Sequence, residues 1–215
     1  MSAAVLKVAD LKTYFHTRAG VIKAVDGVSF ELERGRILGL VGESGSGKSV
    51  TAFSVLRLVD PPGRIEAGRV WLGETELTAL APAALRDIRG KRIAMVFQDP
   101  MATLNPVITI GTQMRLAVRA HEKIGKPAAR ERSAQMLARV GIPDAASRLN
   151  AYPHEFSGGM RQRVAIAIAL LHAPDVIVAD EPTTALDVSI QAQILHEIRE
   201  LAAQTGTALL WISHD

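Results

Sequence analysis

A chain of 215 residues, 48 % of them hydrophobic, is long enough to bury a substantial core and too apolar to be disordered. Its longest apolar run, VAIAIALL at residues 164–171, falls far short of the roughly 20 residues a membrane-spanning helix needs. The opening MSAAVLKVADLK is interrupted by charge too early for a signal peptide, so the expectation is a cytoplasmic protein without an integral membrane segment. The absence of cysteine excludes disulfides and Cys-ligated metals. A net charge of +3, with Lys and Arg spread along the chain, favours neither a nucleic-acid arm nor a dedicated membrane patch.

In chain order, the first third reads as β-rich. VLKVADL (5–11), VSFELE (28–33), ILGLV (37–41) and RVWLGETEL (69–77) are strand candidates, with Val28, Phe30 and Leu32 alternating against polar neighbours. A period of two predicts a half-buried sheet. Residues 111–140 switch to helical spacing, through Met114, Leu116, Val118, Met136, Leu137 and Val140, and stop at Gly141 and Pro143. The last third alternates helix and strand: a helix after Gly159, the strand VIVAD, the helix QAQILHEIRELAAQ and the strand ALLWIS. That order predicts a parallel sheet with helices burying both faces.

GESGSGKS, residues 42–49, fits the spacing Gly, four residues, Gly-Lys-Ser, between the apolar run ILGLV and the predicted helix VTAFSVLRL. In that context the residues form a phosphate-binding loop. Gly42, Gly45 and Gly47, with Glu43, Ser44 and Ser46 between them, let the backbone wrap closely and aim its N–H groups inward. The next helix, entered at Val50, offers its positive end, Lys48 adds a point charge, and Ser49 supplies a hydroxyl for Mg2+. VIVADEP (176–182) ends an apolar strand in two carboxylates. Parallel sheets bind ligands at the carboxyl ends of their strands, so Asp180 suits the shell of Mg2+ and Glu181 a base that orients water on the γ-phosphate. The strand ALLWIS ends in His214 and Asp215, bringing an imidazole to the same edge. In EFSGGMRQR (155–163) a pair of glycines opens a helix. Glycine costs a helix interior about 1 kcal/mol relative to alanine, but at the first turn it clears the approach of a phosphate to the exposed N–H groups.

Phosphate loop, acidic strand and SGGM, in this order, make the chain resemble the ATPase subunits of ATP-binding-cassette (ABC) transporters along essentially its whole length. The resemblance implies an α/β P-loop NTPase (RecA-like) core with a mostly parallel sheet, an N-terminal antiparallel β subdomain and an inserted α-helical subdomain. It implies one ABC ATPase domain over residues 1–215: 1–99 the β subdomain and phosphate-loop part of the core, 100–160 the helical subdomain, 161–215 the rest of the core. FSGGM corresponds to the family's signature LSGGQ, with Phe156 for Leu and Met160 for Gln; Ser157, Gly158, Gly159 and Met160 would act in trans on ATP held by a second ATPase subunit. FQDP supplies the Q-loop glutamine, Gln98, which joins Ser49 and Asp180 around Mg2+, the last through water. His214 falls at the switch histidine, Asp187 in TTALD communicates across the dimer, and Phe15, or else Tyr14, stacks on adenine.

The wording QDPMATLNPVITIG, YPHEFSGGMRQRVAIAIAL and DEPTTALDVSIQAQI closely resembles the dipeptide and oligopeptide importer ATPases, a branch that includes nickel and glutathione importers. Implied with it are ATP and Mg2+, permease subunits docked on the helical subdomain, an indirect link to a solute-binding protein, no specific nucleic acid, and a place on the inner face of the cell membrane. The rival class is a non-transport ABC ATPase of DNA maintenance or the ribosome, but the coiled-coil or zinc insertions of those proteins do not occur here. Members of the family continue past the switch histidine, so the chain is read as a truncated span of a longer polypeptide.

Overall fold

Alternating apolar residues at the start of the chain pair into an antiparallel sheet, and the continuous apolar runs build a parallel one. The computed structural model describes residues 4–182 and 188–214. Strand β1 (Ala4–Thr17) lies between β2 (Gly20–Glu33) and β4 (Gly63–Leu72), and β4 pairs with the short β5 (Thr75–Glu76). In β1, Leu6 and Val8 are buried, then Leu11 and Thr13. The change of parity coincides with a register shift against β2 between Val8 and Leu11, because one extra residue in a strand moves every later side chain to the opposite face.

The second sheet contains β3 (Ile37–Val41), β6 (Ile93–Val96), β7 (Val176–Asp180) and β8 (Ala208–Ser213), all parallel, in the order β3-β8-β7-β6. Its helices are α1 (Lys48–Val55), α2 (Pro82–Ile88), α3 (Pro100–Thr103), α4 (Ile110–His121), α5 (Lys126–Arg139), α6 (Ala145–Arg148), α7 (Gly158–Leu170) and α8 (Val188–Thr205). Strand β7 feeds both sides of the sheet. Val176 and Val178 join a core with Leu6, Leu72, Ala52 and Val55, under the antiparallel sheet and α1. Ile177 and Ala179 join the other, with Met114, Val118, Leu137 and Val164 of the helical side. A strand buried on both faces needs no polar alternation, which is why VIVAD is apolar up to its final carboxylate.

Three expectations need correction. The parallel sheet is not covered throughout: β3 is an edge of the described sheet, with Ile37 44 % and Val41 65 % exposed. Leu116, grouped by sequence with Met114 and Val118, is 57 % exposed while both of those are fully buried; residues two apart on a helix face different directions. The helix after the phosphate loop stops at Val55 instead of running to Leu58. It ends in a Schellman turn: Leu58 N donates to Phe53 O at 2.7 Å, Arg57 N to Ser54 O at 3.0 Å, and Arg57 takes the left-handed conformation, φ 53°.

Candidate active site

Because the four strands of the second sheet run parallel, their carboxyl ends form one edge, and each end delivers a different group. From β3 the chain passes into the phosphate loop at Gly42, from β6 into Phe97 and Gln98, from β7 into Asp180 and Glu181, and from β8 into His214.

In the loop, Gly45 and Gly47 have φ of +80° and +90°, a region L side chains rarely enter. A Cβ on Gly47 would lie 2.1 Å from the Ala24 carbonyl oxygen of β2, whereas one on Gly45 would meet open space. On Gly42 it would sit 3.0 Å from the Ser46 hydroxyl, and the Ser46 N–H donates to Glu43 O at 3.2 Å. Gly47 is the N-cap of α1 and offers no side-chain cap; the first turn carries no acidic residue. The opening N–H groups of α1, through Ser49 and Val50, therefore face the loop with no helical acceptor. Lys48 is buried and donates to the carbonyls of Gly42 and Glu43 at 2.7 and 2.8 Å. Ser44 is exposed on the loop.

Asp180 is 3 % exposed and accepts a hydrogen bond from the Ser49 hydroxyl at 3.0 Å. Burial pushes its carboxyl above the usual range, and the neighbouring Glu181 adds to the rise, while the Ser49 hydrogen bond and Lys48 oppose it. Glu181 is turned away from its neighbour by a left-handed backbone, φ 43°. Its carboxylate oxygen Oε2 accepts from Gln98 Nε2 at 3.2 Å and lies 3.3 Å from His214 Nδ1. The structure thus gathers Ser49 with Asp180, and Gln98 with Glu181 and His214, from segments up to 131 residues apart.

The signature is built on a different element. Ser157 is the N-cap of α7, its hydroxyl accepting from Met160 N at 3.3 Å, and Gly158 and Gly159 open the helix. Ser157 is exposed and Gly159 buried. Met160 packs against the helical core, and Phe156 is buried with the Arg148 guanidinium 5.8 Å from its ring centre. Of the two aromatic candidates, Phe15 lines a cavity of about 590 Å3 with Val50 and Phe53 of α1 and Phe97. Tyr14 donates to Asp26 Oδ1 at 2.6 Å, and that hydrogen bond, with burial and the Asp26 charge, pushes its hydroxyl up to about 12. Asp187 and Asp215 lie outside the described residues.

Between the parallel sheet and the helical side lies a groove, a cavity of about 310 Å3 lined by Ile93, Val96, Leu104, Ala117, Ala120 and Ile168 among others; the family resemblance implies a docking groove on the helical side but names none of its residues. His121 and His172 meet there edge to face, 5.1 Å between ring centres. They come from α4 and from the residues after α7, and no spacing in the sequence announces the pair.

A phosphate loop opening an uncapped helix beside a buried Ser–Asp pair, at the carboxyl edge of a parallel sheet, defines a P-loop nucleotide-binding protein. The chain belongs to the ABC transporter family, whose sequence profile matches residues 25–184. It is 47 % identical over 211 residues to the "Oligopeptide transport ATP-binding protein OppD" of Bacillus subtilis, covering 98 % of this chain and 59 % of that protein. With the "Dipeptide transport ATP-binding protein DppD" of the same organism it shares 49 % over 212 residues, 98 % of this chain and 63 % of the relative. Among solved structures, the dimeric post-hydrolysis state of the ATP-binding cassette MJ0796 bound to ADP and Pi superposes with a TM-score of 0.86 at 27 % identity, over 98 % of this chain and 88 % of that one. The chain thus spans about three fifths of the length of the curated relatives it matches, and its fold is that of the ABC ATPases. Among the described residues, no helix is long and apolar enough to cross a membrane.

Proposed function

We propose that the chain is the ATP-hydrolysing part of an ABC importer subunit that takes up peptides. The observation that carries the reading is Glu181, held between Gln98 and His214 beside the Ser49–Asp180 pair. Its left-handed backbone directs two adjacent carboxylates to separate partners, so one serves a cation and the other a water. Peptide cargo is supported by the names of the relatives in Bacillus subtilis; nickel or glutathione is the alternative within the branch.

ATP's phosphates take the place of the Gly42 and Glu43 carbonyls as partners of the Lys48 ammonium, and the N–H groups from Gly45 to Val50 wrap them. The adenine stacks on Phe15, since Tyr14 is committed to Asp26. The residues present fit Mg2+: Ser49 and Asp180 offer hard oxygen donors, and a buried carboxylate whose charge is disfavoured by burial gains from a cation. Ser49, Asp180 and Gln98 would hold it, and when bound it would neutralise charge developing on the phosphates. Glu181 orients and deprotonates the attacking water. His214 touches Glu181 through Nδ1, which leaves Nε2 for the substrate.

The signature, Ser157 to Met160, serves ATP bound by a second ATPase subunit, with Asp187 at the dimer contact. Residues 100–160 form the helical subdomain, 1–99 and 161–215 the β subdomain and core. The groove beside α4 receives a cytoplasmic helix of the permease, placing the subunit on the inner face of the membrane, and a solute-binding protein acts through the permease. Glu181→Gln is expected to lower turnover by about 10²–10⁴, to leave ATP affinity intact and to trap a closed dimer. Phosphate release at the parent rate would overturn the assignment of Glu181 as base.

A further inference from the structure

We propose that Arg89 is a positioning residue that couples the groove beside α4 to the phosphate loop through the far end of α1. Helix α1 has the phosphate loop at its N-terminus and, eight residues on, a Schellman turn whose carbonyls at Leu56 and Arg57, just past the helix, have no backbone donors among the described residues. The Arg89 guanidinium supplies them: Nε donates to Leu56 O at 2.8 Å and Nη2 to Arg57 O. Arg57 in turn is pinned by its own Nη1 to the carbonyls of Leu77 and Leu80, at 3.1 and 2.5 Å.

Arg89 is also a wall of the groove, together with Leu56, Leu58 and His121. One side chain therefore touches both the space a docking segment would fill and the helix that carries Lys48 and Ser49. Among the described residues, no acidic residue lines the groove. A helix of this length is short enough to move as a rigid rod, so a change in how Arg89 holds its end is felt at the loop. This inference rests on the nucleotide reading of the loop and names a regulatory input to it.

The test is a double-mutant cycle in the full-length subunit. Residues 1–215 contain no cysteine, so in a subunit cleared of any cysteine elsewhere Ala120→Cys places one thiol on the groove wall, and a bulky maleimide there acts as the occupant. With Arg89 present, alkylation displaces the guanidinium and is expected to raise the Kd for a fluorescent trinitrophenyl-ATP by a factor of about five. In Arg89→Gln the Kd is already raised and alkylation changes it by less than about twofold, the non-additivity of groups acting in one chain. Arg89→Lys, which keeps a cation at the helix end, falls between and replaces the Gln variant if that one does not fold. A merely structural Arg89 predicts additive effects, and additivity overturns the proposal, as does a parent Kd indifferent to alkylation. If the unalkylated parent binds no nucleotide at all, the nucleotide reading fails and the proposal with it.

Discussion

Asp180 shows what a single residue contributes and costs. A carboxylate 3 % exposed beside one hydroxyl has lost most of its water, and burial raises its pKa above the ordinary value of about 3.9. An acid whose folded pKa is raised is penalised in the folded state at every pH above that pKa; the penalty fades as pH falls through it toward the unfolded value. Asp180→Asn removes the charge but keeps an oxygen able to accept from Ser49. It should therefore raise the melting midpoint at pH 7 by about 2–4 °C, with the gain shrinking as the pH is lowered toward 4, while Mg-ATP binding weakens. Melting curves of both proteins at pH 7 and 4.5 check this, and a lower midpoint for Asp180→Asn at pH 7 would contradict it. On the proposed function, the site keeps this group for the cation it would hold.

Between elements, legibility depended on how local the cause was. The strand-loop-helix order around the phosphate loop could be read from GESGSGKS and its neighbours, and Asp180, Glu181 and His214 from their places at strand ends, since a parallel sheet brings such ends together whatever lies between them. Arg89 could not be read: its partners Leu56 and Arg57 are more than thirty residues away, and nothing in a period or motif links an arginine after α2 to the end of α1. Leu116 misled because apolar composition was counted where helical phase decides. Gly47 was legible for an incomplete reason. Access of phosphate accounts for the loop's glycines in sequence, yet what forbids a side chain at Gly47 is the backbone of β2, 2.1 Å away at Ala24 O. Gly47→Ala should then separate β2 from α1, lowering stability by several kcal/mol as overpacking and left-handed strain combine. Gly45→Ala, with only the strain, should cost about 1–2 kcal/mol. Urea titrations of the two variants compare them directly; equal losses would mean that the contact with Ala24 yields without cost.

At the scale of the whole molecule, the glycine-opened N-terminal ends of α1 and α7 belong to different neighbourhoods. Helix α1 packs on β1, β2 and β7, while α7 packs on β6 and on α3, α4, α5 and α8. One end has its own loop and lysine; the other, with Ser157 and two glycines, has no lysine in the run EFSGGMRQR. If it completes the site of a second copy, Ser157→Arg chains bind ATP within about twofold of the parent yet hydrolyse none, because the arginine blocks only the partner's nucleotide. Mixing them with Glu181→Gln chains gives the decisive outcome. Each variant alone is inactive, but a hybrid dimer contains one site built from an intact Glu181 and an intact Ser157 of opposite chains. Random pairing of equal amounts in a symmetric dimer makes half the dimers hybrids with one working site of two, so about a quarter of the parent turnover returns. A signature acting within its own chain leaves every site in the mixture with one defect, and the turnover of the mixture then stays at that of the separate variants.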